Sequence, residues 1–264
     1  MNFLEAILAH KREEIDARKK VVSRSQLEDS SRFERTPISL AGVLRDRQLA
    51  VIAELKKASP SRNVIRNNFD PITIAQEYVT AGASALSVLT DSRYFQGQLS
   101  YIERLRDQVS VPLLRKDFIV DSYQLYESKA CGADAVLLIV AALERDQLID
   151  LKNESEELGM ECLVEVHKEE EIALLDGEDV DLIGINNRDL VTFETDLSTS
   201  FRLKQYIPSG VITVSESGIG TAKDIEQLMS CGIHAVLIGE SFMRAESPGK
   251  ALSDLLKHVQ GVRR

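Results

Sequence analysis

Charged and amide side chains stand where apolar, β-rich runs of this chain come to an end. Glu54-Leu55-Lys56-Lys57 closes one run, Arg115-Lys116-Asp117-Phe118 another, and Glu165 lies between Val164 and Val166 near the end of a third. Asn186-Asn187-Arg188 and Ser215-Glu216-Ser217-Gly218 close two more. Alternate residues of a strand share a face, so Glu54 goes with Lys56, and Glu165 points away from its flanking valines. A buried ion is costly unless it is paired. A convergent set of Glu54, Lys56, Lys116, Glu165, Arg188 and Glu216 therefore needs a reason. A structural ion-pair rim is one. A site holding acid, base and cationic clamps is the other.

An anion fits the same end of the runs. Ser217-Gly218-Ile219-Gly220-Thr221 and Gly239-Glu240-Ser241 follow the last two of them. Glycine lets backbone N–H groups approach a phosphate, and a helix N-terminus favours its charge. Each glycine pair alone would make an ordinary turn; both together point to a phosphate site, to which Ser59 can add a hydroxyl. The polar segment from Ala58 to Asp70 carries Arg62 and Arg66 and is long for a connection, as a lid would be. His10, His167, His234 and His258 are scattered, without metal-ligand spacing. His167 is expected to cap or to sit on a rim, and no histidine is assigned to chemistry, which leaves lysine and glutamate.

The elements that must position these groups alternate. Strands are expected at 49–56, 84–90, 111–116, 135–141, 161–166, 182–187, 210–216 and 235–239. The run from Ala135 to Val140 is apolar on consecutive residues, which suits a parallel strand covered on both faces. Helices are expected at 71–80, behind the cap Asp70 and Pro71, and at 221–230 and 247–259. The segments Gly82-Ala83-Ser84-Ala85, Gly132-Ala133-Asp134-Ala135 and Gly232-Ile233-His234-Ala235 echo one another. In each, glycine ends a helix in the left-handed conformation before the next strand. An open, doubly wound sheet would also contain such units, but eight strands each followed by a helix favour an α/β fold closed as a (β/α)8 TIM barrel. Its active site would lie at the strand C-termini, with phosphate after strands seven and eight.

Residues 1–48 stand outside this repeat and read as an N-terminal helical extension to a barrel over 49–264. Phe3, Leu4, Ile7 and Leu8 are helically spaced, a charged run follows at 11–20, and a short helix is expected at 40–47. The extension is expected either to plug the barrel bottom or to cover the active-site mouth.

The chain has 264 residues, 32 Lys plus Arg against 42 Asp plus Glu, and a net charge of −10. That balance lacks the basic footprint of a nucleic-acid binder. The longest apolar run, Ala135 to Leu143, is too short to span a bilayer, and charges at residues 11–14 interrupt any signal-peptide core. Cys131, Cys162 and Cys231 are odd in number and form no C-x-x-C, which fits a reducing cytosol. Cys162 is expected in the core. A cytoplasmic protein is expected, compatible with a monomer.

Several motifs resemble one family. Glu54-Leu55-Lys56-Lys57-Ala58-Ser59-Pro60-Ser61, Leu114-Arg115-Lys116-Asp117-Phe118-Ile119 and Leu163-Val164-Glu165-Val166-His167 are similar to strand signatures of indole-3-glycerol-phosphate synthases. So are Gly184-Ile185-Asn186-Asn187-Arg188-Asp189-Leu190, Ser215-Glu216-Ser217-Gly218-Ile219, Leu237-Ile238-Gly239-Glu240 and the N-terminal Ile7-Leu8-Ala9-His10-Lys11-Arg12-Glu13-Glu14. The resemblance implies ring closure of 1-(2-carboxyphenylamino)-1-deoxyribulose 5-phosphate with loss of carbon dioxide and water, and no cofactor or metal.

It also implies roles. Lys116 would be the general acid, its pKa lowered by nearby Lys56 and partial burial. Glu165 would act as base or second acid. Lys56 and Arg188 would hold the substrate carboxylate, and Lys56 is the alternative acid. Glu54, Asn186 and Glu216 would orient lysines and hydroxyls, and Phe95 and Phe118 would line the aromatic pocket. Ser59, Ser217, Gly218, Gly239 and the backbone of Glu240 would take the phosphate. Some family members have serine at position 240, so the Glu240 carboxylate would have to turn away. A phosphoribosylanthranilate isomerase and a non-catalytic phospholigand binder are the rival readings. No fused isomerase domain is expected.

Overall fold

Eight parallel strands close on themselves in the computed structural model, which describes residues 3–46 and 49–261. They are β1 (Ala50–Leu55), β2 (Ala85–Leu89), β3 (Leu113–Lys116), β4 (Ala135–Ile139), β5 (Glu161–Val166), β6 (Leu182–Asn186), β7 (Ile212–Glu216) and β8 (Ala235–Ile238). Each pairs with its sequence neighbours, and β8 returns to β1 in the register Ala50 to Ala235 and Ala53 to Ile238. This closure excludes the open sheet. The strands run up to two residues shorter than expected, because ladder pairing stops short of the expected ends.

The helices obey their local signals. Asp70 accepts from the backbone N–H groups of Ile72 and Thr73 at the start of Pro71–Ala81, and Thr221 caps Ala222–Ser230 with Asp224. Gly82, Gly132 and Gly232 have φ of 104°, 92° and 82°, the left-handed turn their echo predicted. The last helix is Pro248–Gly261.

Ahead of the barrel come α1 (Phe3–Lys19), α2 (Arg24–Glu28) and α3 (Leu40–Arg45). The boundary expected between 48 and 49, and residue 47 of the expected helix, fall on or beside residues outside the described ones. Both expected placements of the extension occur, on different helices. At the N-terminal ends of the strands, Leu40 and Leu44 are fully buried against Ala50, Leu182, Ile212 and Ala235, and Glu161 at the start of β5 accepts from the Ala41 N–H. Burying each leucine stabilises by about 2 kcal/mol. At the opposite end, Phe3, Leu4 and Ile7 of α1 wall the cavity over the mouth.

The apolar residues divide into two bodies. One fills the barrel, including Ile52, Leu114, Leu137, Leu163 and Val214, and the other lies between strands and outer helices. Cys162 is buried in the outer body, as expected, where burial pushes its thiol up to about 12.

Candidate active site

A cavity of about 630 Å³ opens at the C-terminal ends of the strands. Its floor is ionic. Lys116 Nζ, at the end of β3, donates to Glu165 Oε2 at 2.5 Å and to Glu216 Oε2 at 2.8 Å. Lys56 Nζ lies 2.5 Å from Glu54 Oε2. Asn186 Nδ2 donates to Glu165 Oε1 at 3.1 Å. Strand alternation alone delivers these groups to one interior, because each is an inward position of its own strand.

Two glycines make room for them. A side chain at Gly184 would collide with the Glu216 carboxylate, and one at Gly239 with that of Glu54. Gly239 was expected as a phosphate contact; it also vacates the space that Glu54 fills. At Ser217 and Gly218 the backbone is left-handed, with φ of 67° and 75°, and a side chain at Gly218 would strike Thr195.

The electrostatics correct one expectation. Burial by itself would lower the Lys116 amine, but Glu165, Glu216 and Glu54 outweigh it and hold its pKa well above the usual lysine range. Lys56 does not depress it, because Lys56 is turned to Glu54. Burial would raise Glu165, yet Lys116 and then His167 hold it well below the usual carboxylate range. Glu216 goes the other way: burial, with Glu165 and Glu54 nearby, overcomes Lys116 and pushes it up to about 7.

The walls are apolar. Phe95 and Phe118 lie 6.4 Å apart between ring centroids, and Phe3 packs edge-on against Phe193 at 5.0 Å. Leu137, Leu190 and Leu237 complete that side. Ser59, Ser217, Gly218, Gly239 and Glu240 share the lining with Arg62, Arg188 and Arg244. The Glu240 carboxylate does turn aside, into these guanidiniums: Arg62 Nε at 3.1 Å, Arg188 at 3.3 Å and Arg244 at 3.5 Å. Arg188 also donates to the Phe193 carbonyl at 3.2 Å.

The expected lid is anchored. Ala58–Ser59 pairs with Asn63–Val64, and Arg66 donates to the carbonyls of Met243, Ala245 and Glu246.

Every expected site residue thus lines or borders this cavity, while others were missed. His167 neither caps nor sits on a rim; it is 9% exposed, with Nε2 3.3 Å from Glu165 Oε1. The available signal was its spacing of two from Glu165, which puts both on one face. Lys11, from the charged run at 11–20, is 2% exposed and lies 2.9 Å from each of Glu14, Asp91 and Asp117. Its signal was position: Phe3, Ile7, Lys11, Glu14 and Arg18 form one helical stripe.

Among the described residues no helix is long and apolar enough to cross a membrane. Residues 4–255 match the family model described as indole-3-glycerol phosphate synthase. A Salinibacter ruber protein of that name is 49% identical over 97% of this chain and 95% of its own length. Those from Bacteroides thetaiotaomicron and Halalkalibacterium halodurans are 43% and 46% identical, over 98% and 96% of this chain and 99% and 96% of their own lengths. With the barrel closed and the motif residues gathered at its mouth, the chain belongs to the indole-3-glycerol phosphate synthase family.

Proposed function

We propose that this cavity converts 1-(2-carboxyphenylamino)-1-deoxyribulose 5-phosphate into indole-3-glycerol phosphate, carbon dioxide and water, the decarboxylating lyase reaction of tryptophan biosynthesis. Family membership supports the reaction. The single observation that carries the residue assignment is the Lys116 ammonium between Glu165 and Glu216 beneath an apolar wall.

The substrate ring lies against Phe95, Phe118 and Leu137, and its phosphate lies at Ser59, Ser217, Gly218, Gly239 and the Glu240 backbone. The Arg62 and Arg244 guanidiniums now gathered on Glu240 supply positive charge at that end of an acidic protein. Lys56 and Arg188 take the ring carboxylate. As the ring carbon attacks the ketone, its carbonyl oxygen becomes alkoxide-like and takes a proton from Lys116. An alkoxide is a far stronger base than a carboxylate, so the high pKa of Lys116 does not prevent the transfer. Carbon dioxide then leaves its bonding electrons to the ring. Water departs with a proton from the acid, and Glu165, held as an anion, accepts the proton released from the ring system. Glu216, whose pKa of about 7 lets it carry a proton near neutrality, returns one to Lys116.

We place this enzyme in the cytoplasm, acting on a small phosphorylated substrate without nucleic acid and compatible with a monomer. Its buried Cys131 and Cys162 and exposed Cys231 are free thiols, as a reducing compartment maintains. The test is indole fluorescence on mixing purified protein with the carboxyphenylamino sugar phosphate. Fluorescence that grows with time is expected; a folded protein that produces none overturns the proposal. In Arg188→Ala, KM should rise with kcat little changed.

A further inference from the structure

His167 follows the last residue of β5, Val166, and its imidazole lies between two carboxylates. Nε2 is 3.3 Å from Glu165 Oε1, and Nδ1 is 3.5 Å from Glu171 Oε2 on the following helix, Glu169–Ala173. The His167 backbone N–H donates to Glu171 Oε2 at 2.6 Å, which ties that carboxylate to the strand end. Glu165 and Glu171 are the charged groups that face the ring. Beyond Glu165 stand Lys116 from β3, Glu216 from β7 and Glu54 from β1, and β6 contributes uncharged Asn186. The ring nitrogens are sealed from solvent and make no hydrogen bond, so each meets its carboxylate at ion-pair distance alone. None of the roles given above uses this side chain.

We propose that His167 is a positioning residue for Glu165, a standing imidazolium that keeps this carboxylate ionised and aimed when Lys116 gives up its proton. The inference rests on the reading of Lys116 as acid and Glu165 as base. Its logic is charge balance. In the resting site Glu165 Oε2 is paired with Lys116 and Oε1 with Asn186. Once Lys116 has protonated the substrate oxygen, its charge is gone. A buried carboxylate left with only an amide would then take up a proton and cease to be a base. His167, on the Oε1 side, is the cation that remains. Glu171 keeps it charged: burial would lower the imidazole, but Glu165 and Glu171 outweigh burial and push its pKa up to about 9.

The test has two arms. In histidine-labelled wild-type enzyme, the NMR resonance missing from His167→Gln assigns the ring. Its titration midpoint should lie near 9 and fall toward the ordinary 6.5 in Glu165→Gln. A wild-type midpoint at or below 6.5 overturns the proposal. This arm is read whether or not indole forms, so it stands apart from the fate of the assigned reaction. In the second arm, His167→Gln keeps a donor but no charge. Its kcat should drop roughly tenfold with KM within about twofold, and the acid limb of the kcat profile should move up by about one pH unit. A folded variant whose acid limb stays in place overturns the proposal, because loss of packing alone does not move that limb.

Discussion

Two ionic clusters flank β3, and they differ in what lies beside them. Arg115, Lys116 and Asp117 are consecutive, so alternation sends Lys116 inward and the other two outward. Outside the barrel, Asp117 receives Lys11 at 2.9 Å and Arg115 at 3.1 Å, and Thr90 Oγ1 donates to it at 2.6 Å. Arg115 reaches on to Glu127, which binds Arg18 of α1 at 3.2 Å. Burial would raise Asp117, yet Lys11 and Arg115 hold it well below the usual carboxylate range. This strut ties the extension to the strand bearing the proposed acid. Inside, Lys116 has equally close partners, but this cation itself lines the cavity that a substrate can enter, whereas Lys11 and Arg115 do not. The same chemistry therefore does two jobs. A sealed network fixes geometry, whereas one open to a cavity can exchange a partner for substrate.

Deleting the ammonium on each side should separate the two roles. Lys116→Met should lower kcat by roughly 10²–10⁴-fold while substrate still binds, read by indole fluorescence and by titration of substrate binding. Near-normal kcat would remove Lys116 from the chemistry. Lys11→Met leaves Asp91 buried without its cation and Asp117 with Arg115 alone, and should cost about 3–5 kcal/mol of stability. Denaturant unfolding would show it, and a loss under 1 kcal/mol would mean that the strut bears little.

Glu216 sharpens the contrast through pH. Its folded pKa of about 7 lies above the ordinary value of 4.5. Its contribution to stability is therefore fully present below 4.5 and is lost as pH rises through 7. Glu216→Gln should remove that loss, so the melting-temperature difference between variant and wild type should grow in the variant's favour from pH 4.5 to 8. A flat difference contradicts the assignment. The smallest effect belongs to a pair with neither cavity nor seal. Arg145→Ala breaks the bond to Glu178, in which Arg145 is 44% exposed, and should change stability by under about 1 kcal/mol with kcat unaltered.

Local chemistry alone dictated a good deal of this protein. Apolar runs, proline and aspartate at helix starts, and glycines at 82, 132 and 232 are consequences of backbone sterics and solvation, which act within a few residues. They fixed the alternating elements, and strand-end positions marked Glu54, Lys116, Glu165 and Glu216 as one set. Tertiary structure decided what those groups became. The sign of the Lys116 shift depends on which of Lys56, Glu165 and Glu216 stands within 3 Å, and that follows from the barrel's closure and register. It also made Lys11 a buried strut and drew Arg62 and Arg188 onto Glu240. Such contacts join residues far apart in the chain. Coulombic coupling and desolvation depend on distance and burial, and neither is a property of a residue's place in the sequence.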